Sequence, residues 1–189
     1  MRRSREEAAA TRRAIVETAS HLIRERGIAS VSIADIMGAV GLTVGGFYRH
    51  FKSKDALVCE AIEAASLETI GAMTQASELW DRPARIRAAT EGYLSRDHLA
   101  HPERGCPVAA LAADVSRETK ATRAALQRAV ARVVAMLSPD GPATERDRRR
   151  VFAALSTAVG AVVLGRALRG TAIGKELVES VRAELLGSE

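Results

Sequence analysis

The chain has 189 residues, 47 % of them hydrophobic and 27 % charged, so it is long and apolar enough to bury a core, and wholesale disorder is excluded. Its net charge is +5, and residues 1–60 carry 10 Lys and Arg against 7 Asp and Glu. This modest basic excess favours a polyanionic partner, either nucleic acid or an anionic membrane surface.

Apolar residues recur at helical spacing, and no alternating strand pattern interrupts them, so we predict an all-α fold. A first helix over residues 6–26 ends at Gly27, and short helices over residues 33–40 and 43–50 flank Gly41. Ser53 caps a longer helix that runs to about residue 76. This helix is expected to link an N-terminal domain, residues 1–69, to a C-terminal domain, residues 70–189.

The C-terminal helices are predicted from their proline and glycine boundaries. Asp81-Arg82-Pro83 opens a helix that continues to about residue 99, and Pro107 opens another that ends near residue 115. A further helix is marked by apolar residues 126–137, and the last two cover about residues 144–168 and 174–186.

Residues 32–51 contain the most informative motif. Two short helices joined at Gly41 cross steeply if their apolar side chains, including Phe47, fill the angle between them. The second helix then projects outward and fits the major groove of DNA. Phe47 and Phe51 are interpreted as core anchors, whereas Tyr48, beside a basic edge, suits a phosphate contact.

This segment resembles the N-terminal domain of TetR/AcrR-type regulators, in which a recognition helix is followed by Tyr-x-His-Phe and then a lysine. Here the tail reads Tyr48-Arg49-His50-Phe51-Lys52-Ser53-Lys54. The resemblance covers residues 9–69, and the remaining two thirds agree only in length and helical architecture. It implies a DNA-binding regulator, a repressor by family default or an activator.

The resemblance also implies roles for individual residues. Thr43 caps the recognition helix, and Val44, Gly45 and Gly46 lie nearest the bases. Tyr48 and His50 hold the DNA backbone, and Lys54 contacts a phosphate. Ser32, at the start of the motif, is included among the DNA-binding residues. Many family members carry Ser or Thr where this chain has Gly46. Direct base readout is therefore expected to depend on Thr43, Val44 and Arg49.

The last two predicted helices are expected to form a twofold dimer interface. The first is apolar nearly all round between residues 151 and 165, and the second has a single apolar seam. An exposed apolar stripe that runs along a helix usually marks an interface. The predicted interface residues are Ala154, Ala158, Ala161, Gly165, Leu177, Val181 and Leu185.

The C-terminal domain is expected to enclose an effector pocket lined by Trp80, Tyr93, Cys106 and Phe152. Cys106 lies at a predicted helix N-terminus, where unpaired amides favour the thiolate and would make it a reactive sensor. A small apolar residue that packs inward is the alternative. His98, His101 and Cys106 could together bind a metal, although no fourth ligand is evident, so neither a metal nor a cofactor is predicted.

Other classes of protein are excluded or kept as alternatives. No phosphate-binding loop, carboxylate pair or nucleophile elbow is present, so an enzyme is not expected. Two cysteines, the absence of a signal-peptide core and an uncharged stretch of only 15 residues predict a cytoplasmic protein without a membrane span. The sequence predicts a homodimeric regulator that binds a palindromic operator and a small-molecule effector; a helical interaction module with a vestigial DNA motif is the rival.

Overall fold

The computed structural model describes residues 5–75, 82–138, 141 and 144–187, with the backbone alone for residues 75 and 82–85. Within these ranges every regular element is a helix, which confirms the predicted all-α class. The elements are α1 (Arg5–Arg26), α2 (Ile33–Ala39), α3 (Val44–Phe47), α4 (Lys54–Gln75), α5 (Arg82–Tyr93), α6 (Arg96–Ala100), a 3-10 turn (Pro102–Arg104), α7 (Pro107–Val115), α8 (Lys120–Leu137), α9 (Glu145–Ala167) and α10 (Ala172–Leu186).

Local capping chemistry accounts for several of these boundaries. Gly27 follows α1 with φ +84°, a left-handed conformation that an L side chain rarely adopts. Ser32 and Asp35 form a capping box at the start of α2, and the Ser53 hydroxyl accepts the backbone N–H of Ala56 at the start of α4. These ends agree closely with the sequence prediction.

Two C-terminal predictions need correction. The helix expected over residues 82–99 is two helices, because α5 ends at Tyr93 and Ser95 caps α6 by accepting the His98 N–H at 3.2 Å. Helix α8 begins at Lys120, well before the apolar stripe, because Thr119 caps it by accepting the Thr122 N–H. In both cases a capping side chain sets a helix end that the spacing of apolar residues does not reveal.

Helix α4 forms the centre of the fold and packs mainly against α8 and α1, while α10 packs against α9 and α5. One continuous apolar cluster extends from Ile15 in α1 to Val162 in α9. The predicted boundary at residue 69 lies inside α4, which continues unbroken to Gln75. The DNA-binding and C-terminal parts therefore share a helix and a core.

Candidate DNA interface and ligand cavity

Helix α2 packs against α1 on one side and against α3 on the other, around a small apolar core. Gly41, with φ +69°, makes the turn between them, and the Leu42 N–H donates to the Met37 carbonyl at 2.8 Å. The apolar residues that form this core are fully or partly buried: Ile33, Ile36, Met37, Val40, Leu42 and Phe47. The turn and the apolar contacts fix the angle between the two short helices, as the motif predicts.

The recognition helix is shorter than predicted. Helix α3 covers Val44–Phe47, and residues 48–50 continue as turns. Thr43 occupies the N-cap position, but its side chain makes no capping hydrogen bond, which corrects the role implied by the resemblance. The adjacent Gly45 and Gly46 explain the short helix, because each disfavours helix by roughly 1 kcal/mol relative to Ala.

The side chains of this segment divide between the core and the surface. Phe47 and Phe51 are buried with their rings stacked at 5.5 Å between centroids, which confirms both as core anchors. Tyr48 is 66 % exposed and contacts the Phe47 ring edge-on. The remaining predicted DNA contacts are exposed at Thr43, Val44, Gly45 and Arg49 and half-buried at Gly46 and His50.

Ser32 and Lys54 already make internal hydrogen bonds. The Ser32 hydroxyl donates to Asp35 Oδ2 at 2.6 Å and accepts the Asp35 N–H, so it is committed to the helix cap. Lys54 Nζ donates to the Ile28 carbonyl at 2.7 Å. An ammonium group has three donors, so Lys54 keeps two for another partner. Its phosphate contact stays a prediction.

A cavity of about 110 Å³ lies among α4, α5, α8, α9 and α10. Its wall is mostly aliphatic, with Met73, Ile86, Val133, Leu155 and Leu185 among the lining residues. Of the residues predicted to line an effector pocket, Tyr93 and Cys106 lie in this wall. Phe152 is exposed on α9 beneath the Arg148 guanidinium and does not line it, and Trp80 lies outside the described residues.

His98 connects Tyr93 and Cys106 at one end of the cavity. The Cys106 N–H donates to His98 Nε2 at 3.0 Å, which leaves the proton on Nδ1 to donate to the Tyr93 carbonyl at 2.6 Å. Burial lowers the pKa of His98, and the nearby positive charge of Arg166 lowers it further. The ring is therefore held neutral in one tautomer.

This arrangement argues against the alternative of a metal site at His98, His101 and Cys106. Both nitrogens of His98 are used in hydrogen bonds, while His101 Nδ1 lies 3.0 Å from Glu103 Oε1. Across the described part of the chain, no group of three His, Cys, Asp or Glu side chains is arranged to hold a metal ion. The spacing of His98, His101 and Cys106 thus does not produce a common site.

Two arginines flank the Gly105 segment: Arg24 is buried, Arg166 is half-buried, and their surroundings differ. Arg24 on α1 donates to the Gly105 carbonyl at 2.7 Å, to the Ser20 carbonyl and to Glu68, with which it forms a 2.7 Å ion pair. Arg166 on α9 donates through Nη2 to the His98 carbonyl at 2.7 Å. Its Nε and Nη1 atoms are buried without a hydrogen-bond partner in the described structure. The sequence contains no signal that separates these two arginines.

Helix α7 contacts the DNA-binding part at both ends. Cys106, its N-cap residue, follows Gly105, whose carbonyl accepts from Arg24. Near the other end, Asp114 Oδ2 accepts the Ile28 N–H at 2.9 Å, in the loop after α1. Sequence reasoning missed both contacts, because each joins residues more than 80 positions apart.

The residues of α9 that were predicted for dimerisation turn inward in the structure, and the opposite face of the helix is exposed. Ala161 is 2 % exposed, and Gly165 packs against Leu99 and Val178 of the same chain. Ala154, Ala158 and Leu185 line the cavity, and Leu177 and Val181 pack on the core. The exposed face instead contains Phe152, Ala153, Ser156, Thr157, Val163, Leu164 and Ala167.

By length and composition α9 meets the criterion for a membrane-crossing helix, with an 18-residue window of mean hydropathy 1.4. Only 11 % of that window is buried within the chain. One such helix is weak evidence for a membrane span. The apolar surface of α9 is thus left largely uncovered within one chain.

Comparison with known proteins identifies the family. Residues 15–61 match the profile of bacterial regulatory proteins of the tetR family. A helix-turn-helix transcriptional regulator of Mycobacterium tuberculosis is 30 % identical over 173 residues, which cover 84 % of this chain and 85 % of that protein. The fold is similar to that of a TetR-family regulator from Cytophaga hutchinsonii, with a TM-score of 0.78, 20 % identity, and 98 % and 96 % of the two chains covered.

It is also similar to the fold of Escherichia coli NemR in its reduced form, with a TM-score of 0.77, 20 % identity, and 93 % and 95 % of the two chains covered. These relatives are transcriptional regulators rather than enzymes. The chain accordingly belongs to the tetR family of DNA-binding transcriptional regulators.

Proposed function

We propose that this chain is a ligand-responsive transcriptional repressor that works in the cytoplasm as a homodimer. It binds a palindromic operator and releases it when a small molecule occupies the cavity. The observation that carries the proposal is the position of α7, which has the cavity residue Cys106 at one end and contacts with the DNA-binding part at both ends.

The mechanism is a shift between two arrangements of the DNA-binding part. A ligand that displaces Cys106 also moves Gly105, whose carbonyl is bonded to Arg24 in α1. If the ligand binds better when α1 is displaced, it lowers operator affinity by that difference in binding free energy. In a dimer the effect is a change in the spacing of two recognition segments, which must match successive major grooves about 34 Å apart.

The DNA contacts follow from the exposed side chains around α3. Thr43, Val44 and Arg49 are exposed, and we assign them to base edges. Tyr48 and Lys54 are assigned to phosphates, together with the half-buried His50. Phosphate contacts add affinity at every sequence, whereas base contacts select the operator.

The proposal is tested by selecting duplexes from a random pool with the purified full chain and then measuring affinity against salt. We expect palindromic sites to be enriched. Lys54→Ala should reduce the slope of log K against log salt by about 0.9, the value for one lost phosphate contact. Lys175→Ala, at an exposed position on α10 in the C-terminal part, is the control and should leave the slope unchanged.

Failure to enrich any duplex would favour the rival function, a helical interaction module without DNA binding. An unchanged slope in Lys54→Ala, combined with an altered base preference, would show that Lys54 is not a phosphate contact. The two results are distinguishable, because failure to enrich any duplex concerns DNA binding by the whole chain, whereas an unchanged slope concerns the Lys54 side chain alone.

We assign dimerisation to the exposed face of α9 rather than to the small-residue strip suggested by the sequence. An apolar face this large is uncommon on a monomer and usually marks an interaction site. Its residues at Ala153, Ser156, Gly160 and Ala167 are small, and open space surrounds Gly160, so another helix could approach closely. A twofold pairing of this face would also account for the low burial of α9 within one chain.

A thiol-responsive regulator is the second candidate. Cys106 lines the cavity at the N-terminus of α7, although it is only 2 % exposed. Burial raises the pKa of Cys59, the other cysteine, which makes that thiol less reactive. If this candidate is right, N-ethylmaleimide should modify Cys106 before Cys59, and Cys106→Ser should blunt the resulting loss of DNA binding. Labelling of Cys59 first, read by mass spectrometry, would leave Cys106 as a packing residue.

A further inference from the structure

The backbone of Ile28, in the loop between α1 and α2, is hydrogen-bonded on both sides. Its N–H donates to Asp114 Oδ2 at 2.9 Å, and its carbonyl accepts from Lys54 Nζ at 2.7 Å. Asp114 lies on α7 in the C-terminal part of the fold, whereas Lys54 begins α4 a few residues after the recognition segment. One buried residue therefore joins a carboxylate of the C-terminal part to the lysine that we assign to a DNA phosphate.

Gly27 leaves the space that this contact needs. Its φ of +84° is strained for an L side chain, and a Cβ there would lie 2.8 Å from Asp114 Oδ2, closer than such atoms normally approach. A side chain at this position would push the carboxylate away from the Ile28 N–H. The glycine thus serves the contact with α7 as well as the end of α1.

Asp114 is held in place by the core of the C-terminal part. Leu111 and Val115, on either side of it in α7, are buried. The Asp114 side chain is 28 % exposed, and its Oδ1 atom is 3.5 Å from the exposed Arg117 guanidinium, a surface pair that adds little. Its shorter contact is the one with the Ile28 N–H, so the carboxylate is directed at the loop.

Lys54 gains a fixed position from the same loop residue. A lysine ammonium on its flexible four-carbon stem loses conformational freedom when it binds a partner. The Ile28 carbonyl restrains Nζ before DNA arrives and leaves two of its donors for a phosphate. Because a contact that is ordered in advance costs less on binding, the proposed phosphate contact depends on where the loop holds this carbonyl.

We propose that Asp114 is a positioning residue for DNA binding: its carboxylate holds the α1–α2 loop so that the Ile28 carbonyl orders Lys54 for a DNA phosphate. A movement of α7 that withdraws the carboxylate would release the loop and, with it, the lysine. The proposal rests on the proposed DNA-binding function and on the phosphate contact assigned to Lys54. It gives a residue outside the DNA-binding part a role in DNA affinity.

The test is the salt dependence of binding by the full chain to a pool of random-sequence duplexes, because phosphate contacts do not depend on sequence. Lys54→Ala should reduce the slope of log K against log salt by about 0.9, and Asp114→Ala should reduce it by about the same amount. The double variant should show no further loss, since both changes remove one contact. A residue that only stabilised the fold would leave the slope unchanged, because its loss does not alter the number of counterions released.

Asp114→Asn separates the hydrogen-bond acceptor from its charge. Its amide oxygen can still accept the Ile28 N–H, so this variant should keep the slope of the unmodified chain. Glu184→Ala is the matched control for Asp114→Ala, because Glu184 is exposed on α10 and its loss changes the net charge equally; it should also keep the slope. Circular dichroism should show that each variant is folded.

Hydrogen exchange of the Ile28 amide, read by NMR, tests the same coupling in the unmodified chain if Asp114→Ala does not fold. We expect this amide to exchange more slowly with duplex bound than in the free chain, because a lysine held by phosphate also holds the loop. Lys54→Ala, saturated with duplex at lower salt, should lose this protection. Equal exchange with and without duplex would overturn the proposal.

An unchanged slope in Asp114→Ala, beside a reduced slope in Lys54→Ala, would overturn the role of Asp114 and leave DNA binding intact. A loss in Asp114→Asn as large as in Asp114→Ala, or a further loss in the double variant, would also overturn it. An unchanged slope in Lys54→Ala would remove the phosphate contact on which the proposal rests. Absence of binding to any duplex would contradict the proposed function itself, and this proposal with it.

Discussion

His98 is the residue whose protonation state has the clearest structural consequence. Its Nε2 atom can accept the Cys106 N–H only while the ring is neutral. Protonation would remove this acceptor and place a cation near the half-buried Arg166 guanidinium. Burial is the main cause of the lowered pKa of His98; the Tyr93 carbonyl and Asp97 act in the opposite direction.

We expect this residue to make folding stability depend on pH. Because the pKa of His98 is lower in the folded chain than its ordinary value near 6.5, the unfolded chain binds more protons there. The stabilising contribution is full above about pH 6.5 and is lost as pH falls towards the folded-state pKa. His98→Gln should therefore flatten the decrease in unfolding free energy between pH 7.5 and pH 5 in urea titrations.

Gln127→Ala is the control, since Gln127 is exposed on α8 and has no titratable group, and its pH profile should follow that of the unmodified chain. A profile for His98→Gln as steep as that of the unmodified chain would show that other groups cause the pH dependence.

At the scale of elements, α3 is the least regular helix of the DNA-binding part. Gly45 and Gly46 have ordinary negative φ angles, unlike Gly41. A Cβ on Gly45 would meet no atom within 4 Å, and one on Gly46 would lie 3.7 Å from Met37 Cε, an ordinary contact. Neither glycine is required by its backbone conformation or by crowding within the chain.

We expect Gly45→Ala and Gly46→Ala each to stabilise the chain by about 0.4–1 kcal/mol, because alanine restricts the unfolded chain and favours helix. Gly41→Ala should instead destabilise it by about 1–2 kcal/mol, because its φ of +69° is strained for any L side chain. Chemical denaturation measures all three. Destabilisation by Gly45→Ala would show that α3 needs its flexibility for folding.

For the whole molecule, the proposed dimer is assigned to the exposed face of α9. Leu164 is 46 % exposed in the C-terminal part of this face, with Val163 and Phe152 also exposed. A charged side chain enclosed in a dimer interface would be desolvated without a partner. The predicted dimer therefore depends on this face remaining apolar.

Leu164→Arg should convert the dimer to monomers at micromolar concentration, as measured by sedimentation velocity. Leu67→Arg is the matched control, because Leu67 is an exposed leucine on α4, and this variant should remain dimeric. A monomeric unmodified chain, or a dimeric Leu164→Arg variant, would contradict the assignment. The earlier candidate Ala161 is unsuitable for this test, because an arginine there would disrupt the buried core.

Residue patterns alone predict the all-α class, most helix ends and the DNA-binding motif. These features depend on local chemistry: the period of apolar residues, caps such as Ser53, and the glycine turn at Gly41. The same is true of Phe47 and Phe51, which are aromatic residues at helical spacing and are buried together. Tyr93 and Cys106 were also identified from residue type and position, and both line the cavity.

The three-dimensional packing selects the face of α9 that turns inward and the partners of each buried polar group. Between residues 151 and 165 helix α9 has apolar and small residues nearly all round, so its sequence supports either face, and packing against α10 and α7 selects one. Arg24 and Arg166 are equivalent as residue types, but long-range folding gives Arg24 an ion pair with Glu68, whereas Arg166 forms no ion pair within the described residues. Burial and pairing are properties of contacts between distant segments, and local sequence patterns do not encode them.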